Sequence, residues 1–284
     1  MITFWNLWNR GKNVDTVYLD FKKAYDKVDQ WVLIQNLASF GFKGNFGKWL
    51  STFIIDRTQA VKIGQNVSSS VKILSGVPQG SVFGPVLFLL FISDIGYKSN
   101  SKAYLYVDDS KIISDISMEN EVGEFQEDLD QFYDWALKNN MSFNESKFVV
   151  LRYGKNTTLK QNTTYFTENL NLPIDEFDHH KDLGVIMSAD GKFDEHISSV
   201  IKKCQKKINW ICRSFINREA HFMKKMFNSL IRPHLDYCAQ LWAPMEGPSL
   251  DKLENVLKNY TKLILELKHL KYSDRLKILK NSVV

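Results

Sequence analysis

Two neighbouring carboxylates, Asp108 and Asp109, stand between two runs of β-favouring residues, and folding alone gives no strong reason for that arrangement. They close the step Tyr106-Val107-Asp108-Asp109, which Ala103-Tyr104-Leu105 precedes and Ser110-Lys111-Ile112-Ile113 follows. Two such runs joined by a short polar step predict a β-hairpin with the acids at its tip. Adjacent aspartates repel each other, and a tip offers them little backbone to bond. A divalent cation relieves that repulsion, because Mg²⁺ prefers hard carboxylate oxygens. Asp is also common in solvated turns, so the pair alone leaves both readings open.

Upstream, Val17-Tyr18-Leu19-Asp20-Phe21 predicts a buried strand that presents Asp20 at its end. A lone carboxylate in an apolar strand is costly unless it is paired or bound to a cation. A helix follows, with Val28, Val32, Leu33, Leu37 and Phe40 on one face and Gly41 at its C-terminal end. A second is expected over residues 46–55, with Trp49, Leu50 and Phe53 inward. Alternation around Ala60-Val61-Lys62-Ile63 and Val71-Lys72-Ile73-Leu74 suggests a hairpin turning near Gly64-Gln65-Asn66. Then Ser75-Gly76-Val77-Pro78-Gln79-Gly80-Ser81 opens into a long apolar helix. Glycines there let backbone approach a ligand closely, and a helix N-terminus offers N–H donors. The loop lacks the Gly-Lys-Ser/Thr ending of a Walker motif, and an ordinary helix start has a similar composition.

Beyond the acidic pair, residues 119–138 form an amphipathic helix with Val122, Phe125, Leu129, Phe132, Tyr133 and Ala136 inward. Short strands are expected at Lys147-Phe148-Val149-Val150-Leu151 and at Asp182-Leu183-Gly184-Val185-Ile186. From His196 onward the pattern is helical. Ile197, Val200, Ile201, Cys204, Ile208 and Ile211 keep helical spacing, and Lys202, Lys203, Lys206 and Lys207 crowd the opposite side. Residues 250–270 read as one long helix with Leu253, Val256, Leu257 and Tyr260 inward.

The charge divides at the same place. The net +5 is the sum of −4 over residues 1–190 and +9 over residues 191–284. An acidic front and a basic back suit a metal-dependent lobe joined to one that holds a polyanion. An uneven scatter of solvated helix faces gives the same totals. With 284 residues, 44% of them hydrophobic, two lobes are expected, divided near residue 190. The three cysteines show no CxxC spacing, which points to a reducing, intracellular compartment. No secretory signal opens the chain, and the apolar stretch at 82–92 is too short to cross a bilayer, so neither secretion nor a membrane partner is expected.

A sheet that placed Asp20 beside Asp108 and Asp109 would gather three carboxylates, enough to hold two Mg²⁺ ions for phosphoryl transfer. At this point the chain resembles a known family. Leu19-Asp20-Phe21-Lys22-Lys23-Ala24-Tyr25-Asp26, the loop Ser75 through Ser81 with Val82-Phe83-Gly84-Pro85, and Tyr106-Val107-Asp108-Asp109 resemble successive palm motifs of reverse transcriptases. The likeness is to the non-LTR (LINE-like) retrotransposon polymerases of the Jockey and CR1 type. Trp135, Asn144 and Lys147 resemble the next palm motif, and Asp182-Leu183-Gly184-Val185 the primer grip. Ile231-Arg232-Pro233, Asp236-Tyr237, Leu241-Trp242 and Pro244 resemble the stretch after the thumb helices.

The resemblance implies an α+β fold: a palm with partial fingers over residues 1–190, its antiparallel sheet packed on helices, then a helical thumb and extension over 191–284. It implies RNA-directed DNA polymerase activity, with two Mg²⁺ ions (Mn²⁺ as a substitute), an RNA template, a DNA primer and dNTP. Asp20, Asp108 and Asp109 would be the metal ligands, assisted by the backbone carbonyl of Phe21. Lys147 would act as general acid toward pyrophosphate, and Tyr25 as the aromatic gate beneath the sugar. Pro78, Gln79 and Gly80 would line the nucleotide pocket, Leu183 and Gly184 the primer grip. Lys202, Lys203, Lys206 and Lys207 would hold the RNA–DNA hybrid through its phosphates. The chain departs from the family pattern at Phe83, Ser93 and Val107, where leucine, asparagine and often alanine are usual. Asp20 lies close to Met1, so an N-terminal truncation is expected, with an upstream fingers and endonuclease segment as partner. The alternative is an inactive retrotransposon remnant that only binds nucleic acid.

Overall fold

Residues 12–97, 99–107, 109–116, 118–154, 163–168 and 171–281 are described here, from a computed structural model of the chain. Asp108 lies outside the described residues. The chain divides into two compact units, one ending at Asp178 and the other beginning at His179.

In the first unit, Val14–Asp20 (β1) is the central strand of the main sheet. Its odd-numbered side chains Val17 and Leu19 face the same way as Phe21, the next residue on, and all three enter the core. The remaining strands are Lys102–Tyr106 (β6), Asp109–Asp115 (β7) and Val149–Tyr153 (β8), and the order across the sheet is β6-β7-β1-β8. Every pairing is antiparallel. Between β1 and β6 the chain makes the helices Ala24–Lys27 (α1), Gln30–Ser39 (α2) and Gly44–Ile54 (α3). It then makes the two-residue strands Thr58–Gln59 (β2), Lys62–Ile63 (β3), Asn66–Val67 (β4) and Val71–Lys72 (β5), and the helix Phe83–Ile92 (α4). Helix Glu119–Lys138 (α5) follows β7. Leu87, Phe88 and Phe91 of α4 and Phe125, Leu129 and Phe132 of α5 share one apolar cluster with the odd face of β1. That cluster holds the sheet from one side and leaves the even face of β1 to carry Asp20.

Three local expectations are corrected. Trp49 does not point inward: it is 45% exposed, while Leu50 and Ile54 take the buried positions of α3. Trp49 instead stacks between Phe46 and Phe53, with ring centroids 5.7 and 5.5 Å away. The hairpin after α3 pairs as two short ladders, β2 with β5 and β3 with β4, rather than 60–63 with 71–74. All of its strand residues are exposed, so no buried face fixes a longer register. Lys147 is not in a strand; it ends the 3₁₀ turn Glu145–Lys147 ahead of β8.

The second unit opens with the hairpin His179–Asp182 (β9) and Val185–Ser188 (β10). Leu183 and Gly184 are its two turn residues, with φ of 45° and 89°, where the sequence suggested a strand interior. The helices Asp194–Ser214 (α6), Ala220–Met226 (α7), Arg232–Asp236 (α8), Ala239–Trp242 (α9), Pro248–Thr261 (α10) and Tyr272–Asn281 (α11) follow. Helix α6 buries His196, Ile197, Val200, Cys204, Ile208 and Ile211. The expected helix over 250–270 stops at Thr261. Arg275 Nη2 there donates to the Lys258 carbonyl (3.2 Å), and Leu265 N–H turns away to the Arg218 carbonyl (3.2 Å). The units part at 178/179 rather than near 190, because β10 packs on α6 and Ile186 N–H donates to His196 Nδ1 (3.1 Å). No described helix is long and apolar enough to cross a membrane.

Candidate active site

The register between β1 and β7 sets Asp20 directly opposite Asp109. The Asp20 carbonyl accepts the Asn144 N–H (2.7 Å), so it points away from β7. Asp20 and Asp109 are therefore a non-hydrogen-bonded antiparallel pair, the kind whose side chains stand closest, on one face of the sheet. The neighbouring pair on that face is Tyr18 with Lys111, whose ammonium lies 5.8 Å from the Tyr18 ring centroid. On β6, Tyr106 stands opposite Asp109 and Tyr104 opposite Lys111, completing a small grid of acids, aromatics and one base.

Residue Phe21 pairs with Phe143 in an antiparallel bridge closed by Lys22 N–H to Ser142 O (2.9 Å) and Asn144 N–H to Asp20 O. In that pattern the N–H and C=O of Phe21 itself point the other way, toward the side of β1 where β7 runs. Its ring is buried, stacked on Phe143 at 4.6 Å. Sequence and packing thus turn one backbone carbonyl toward the acidic pair.

Two groups from the segment before β8 converge on the Asp20 carboxylate. Lys147 Nζ donates to Oδ2 at 3.0 Å and Asn144 Nδ2 to the same oxygen at 3.3 Å. The Asp20 side chain is 22% exposed and Lys147 61%. Opposed like charges on adjacent strands are destabilising, and the Lys147 ammonium offsets part of that here. Two carboxylates and a carbonyl form an all-oxygen donor set, which fits Mg²⁺ and suits soft metals poorly. Among the described residues no three His, Cys, Asp or Glu side chains form a metal cluster. Asp108, the third ligand expected from the sequence, lies outside those residues.

The glycine-rich loop is fastened to the turn that follows β1. Gly76 N–H donates to Val28 O (2.8 Å), Val77 N–H to Tyr25 O (2.9 Å) and Ser75 Oγ to Asp26 O (2.7 Å). Gln30 Nε2 and Arg57 Nη2 both donate to Gly76 O, at 3.2 and 2.9 Å. Gly76 has φ of 86°, and a Cβ there would lie 2.8 Å from Tyr25 O, so only glycine fits. Gln79 Nε2 donates to Asp26 Oδ1 at 2.6 Å. Tyr25 stacks on Phe88 of α4, with centroids 4.7 Å apart. The Pro78 carbonyl accepts Ser81 Oγ–H (2.7 Å), and Ser81 Oγ accepts Gly84 N–H (2.9 Å) from the first turn of α4.

The structure therefore brings together Asp20, Phe21, Asp109 and Lys147, and separately binds Gln79 and its loop to Tyr25-Asp26. Leu183, Gly184, Lys202, Lys203, Lys206 and Lys207 belong to the second unit. The four lysines are exposed along α6. Two further groups, to which motif and spacing attach no role, belong to these clusters. Asn144 holds Asp20 through both backbone and side chain, and Asp26 receives Gln79. The signal for Asn144 is its place just before the 3₁₀ turn, where an Asn side chain is free to reach back.

A family model described as reverse transcriptase (RNA-dependent DNA polymerase) matches residues 5–186. The chain is 22% identical over 263 residues to the "Probable RNA-directed DNA polymerase from transposon X-element" of Drosophila melanogaster. That match covers 88% of this chain and 28% of that protein. It is 26% identical over 249 residues to the RNA-directed DNA polymerase from mobile element jockey of Drosophila funebris, covering 83% of this chain and 26% of that one. The chain thus spans under a third of the length of these curated relatives. Among solved structures, the telomerase from Candida albicans in complex with a fragment of telomeric RNA aligns with a TM-score of 0.50 at 12% identity. That alignment covers 98% of this chain and 51% of that one, a likeness of fold.

Proposed function

The chain belongs to the reverse transcriptase (RNA-dependent DNA polymerase) family, and we propose that it copies RNA into DNA by adding deoxynucleotides to a primer 3′-hydroxyl. The observation that carries this reading is the closest-approach pairing of Asp20 with Asp109 on one face of the central sheet. Folding alone would select against that pairing; a site for divalent cations explains it.

In this proposal Asp20, Asp108 and Asp109, with the Phe21 carbonyl, hold two Mg²⁺ ions. Bound there, the ions would activate the 3′-hydroxyl and neutralise charge on the triphosphate and leaving pyrophosphate. The protein's own part is mostly positioning. Asn144 and the β1–β7 register orient Asp20 before any ion arrives. Lys147, a cationic donor beside the ligand carboxylate, gives its proton to the departing pyrophosphate. Tyr25 is held by its stack on Phe88, with its flank closed by the 75–80 loop, and its ring excludes a ribose 2′-hydroxyl. Pro78, Gln79 and Gly80 line the pocket for the incoming nucleotide. In the second unit, Leu183 and Gly184 meet the primer end. Lys202, Lys203, Lys206 and Lys207 hold hybrid phosphates without reading sequence.

The test is extension of a DNA primer on an RNA template, with and without Mg²⁺. With an upstream fingers segment supplied, we expect dNTP incorporation that stops with chelator and returns with Mg²⁺ or Mn²⁺. Wild-type rates from an Asp108→Ala, Asp109→Ala double variant would overturn the assignment.

A further inference from the structure

The turn at Leu183-Gly184 is built against its local preference. A two-residue hairpin with positive φ at both positions is a type I′ turn, which favours Asn-Gly. Here the first position is a leucine at φ 45°, 36% exposed, a conformation that L residues other than Asn and Asp rarely hold. A strained residue of this kind persists only when surrounding structure fixes it.

The fixing group comes from 54 residues downstream. Tyr237 Oη donates to the Leu183 carbonyl at 2.8 Å. The same ring lies alongside Gly184, at 3.4 Å from where a Cβ would stand. Tyr237 is held in turn, because Trp242 Nε1 donates to its carbonyl at 2.8 Å. Trp242 is buried, with its ring edge-on to His196 at 5.0 Å. His196 Nδ1 accepts Ile186 N–H from the second strand of the hairpin (3.1 Å). Hairpin, α6 and the 237–242 segment thus close a ring of contacts that begins at the turn and ends on the strand that leaves it.

We propose that Tyr237, backed by Trp242 and His196, is a positioning residue that latches the Leu183-Gly184 turn in the shape that receives the primer end. The proposal rests on the reading of that turn as the primer grip. Tyr237 touches no substrate in it. The hydroxyl fixes the Leu183 carbonyl, and the strained turn then presents a defined backbone edge rather than an ensemble.

The experiment uses the full chain with Tyr237→Phe, which keeps the ring and removes only the hydroxyl, and Gly184→Val, which alters the turn directly. Primer–template affinity is read by fluorescence anisotropy without dNTP. The KM for dNTP at saturating primer and the melting midpoint are read alongside. We expect Tyr237→Phe to weaken primer–template binding about fivefold, because a turn that has lost one net hydrogen bond must be reordered when the primer binds, with the dNTP KM near wild type and the melting midpoint lower by no more than a few degrees. We expect Gly184→Val to weaken it at least as much. If Gly184→Val weakens binding and Tyr237→Phe does not, the latch is wrong and the primer-grip reading stands. If neither does, the reading of the turn is wrong and the latch falls with it. If Tyr237→Phe lowers the melting midpoint and every kinetic constant together, Tyr237 is only a stabilising residue.

Discussion

Substituting Gly76 by alanine should unfasten the loop from the turn after β1, and the cost can be worked from geometry. The residue sits at φ 86°, so an alanine there is strained whatever the space, by about 1–2 kcal/mol. Its Cβ would also lie 2.8 Å from Tyr25 O and 3.0 Å from both Cα and O of Asp26. These are backbone atoms, which cannot swing aside as a flexible side chain would, and overpacking of this sort costs about 1–3 kcal/mol. Moving Gly76 outward instead stretches its N–H bond to Val28 and the bonds its carbonyl accepts from Gln30 and Arg57. A total of about 3 kcal/mol is expected. Gly64→Ala supplies the control: φ is 59° and nothing lies within 4 Å of its Cβ, so only the conformational part, about 1 kcal/mol, remains. The assay is urea unfolding of the first unit, followed by intrinsic fluorescence. With a slope near 2 kcal/mol/M, Gly76→Ala should lower the midpoint by about 1.5 M and Gly64→Ala by about 0.5 M. The dNTP KM should rise for the first alone. Equal midpoints for the two variants would refute the claim that this loop is locked by close backbone approach.

Three further outcomes follow from particular contacts. Arg152 is 2% exposed between Asp15 and Glu176 (3.7 and 3.3 Å) and donates to Thr163 O at 2.7 Å. Arg152→Met should cost about 3–5 kcal/mol by stranding the buried Asp15 carboxylate, and adding Asp15→Asn should recover part of that in the same urea assay. Lys147→Gln should slow single-turnover incorporation about 10²-fold or more without changing primer affinity, the loss expected for a general acid. Burial, and secondarily Lys203, hold His196 below its ordinary value of 6.5. The neutral ring is also the form that accepts Ile186 N–H. Below pH 6.5 the unfolded chain therefore binds a proton that the folded chain refuses. Stability present above that pH should fall, by up to about 1.4 kcal/mol per unit, until the folded pKa is reached. Urea midpoints of the second unit at pH 7.5, 6.5 and 5.5 measure this, and His196→Asn should flatten the dependence.

Much of the fold could be read from periodicity. The α5 helix follows its apolar spacing closely, because Phe125, Leu129, Phe132 and Tyr133 are all buried by the sheet. The acidic hairpin could be read as two β-favouring runs around a polar step, although Asp109 stands in β7 opposite Tyr106 rather than at the tip. What periodicity hides is pairing. Asp20 and Asp109 are far apart in sequence, and only the β1–β7 register makes them opposite. Left-handed residues were hidden too. Leu183 looks like strand interior, since leucine signals no turn. The end of α10 at Thr261 was missed because long-range donors, Arg275 among them, override a helical pattern that continues through Ile264 and Leu267. Trp49 misled because its hydrophobicity suggested burial, whereas α3 turns Leu50 and Ile54 to the core instead.

The central claim is that the Asp20 carboxylate, set against Asp109 and held by Asn144 and Lys147, works in nucleotide addition. Single-turnover dNTP incorporation on an RNA template tests it most directly, comparing wild type with Asp20→Asn at saturating primer–template and Mg²⁺. The amide keeps the side chain's size and can still bond its neighbours. The rate should therefore fall by about 10²- to 10³-fold, the order typical of removing one preorganised electrostatic contact, with primer–template affinity and melting midpoint retained. Incorporation within threefold of wild type would contradict it.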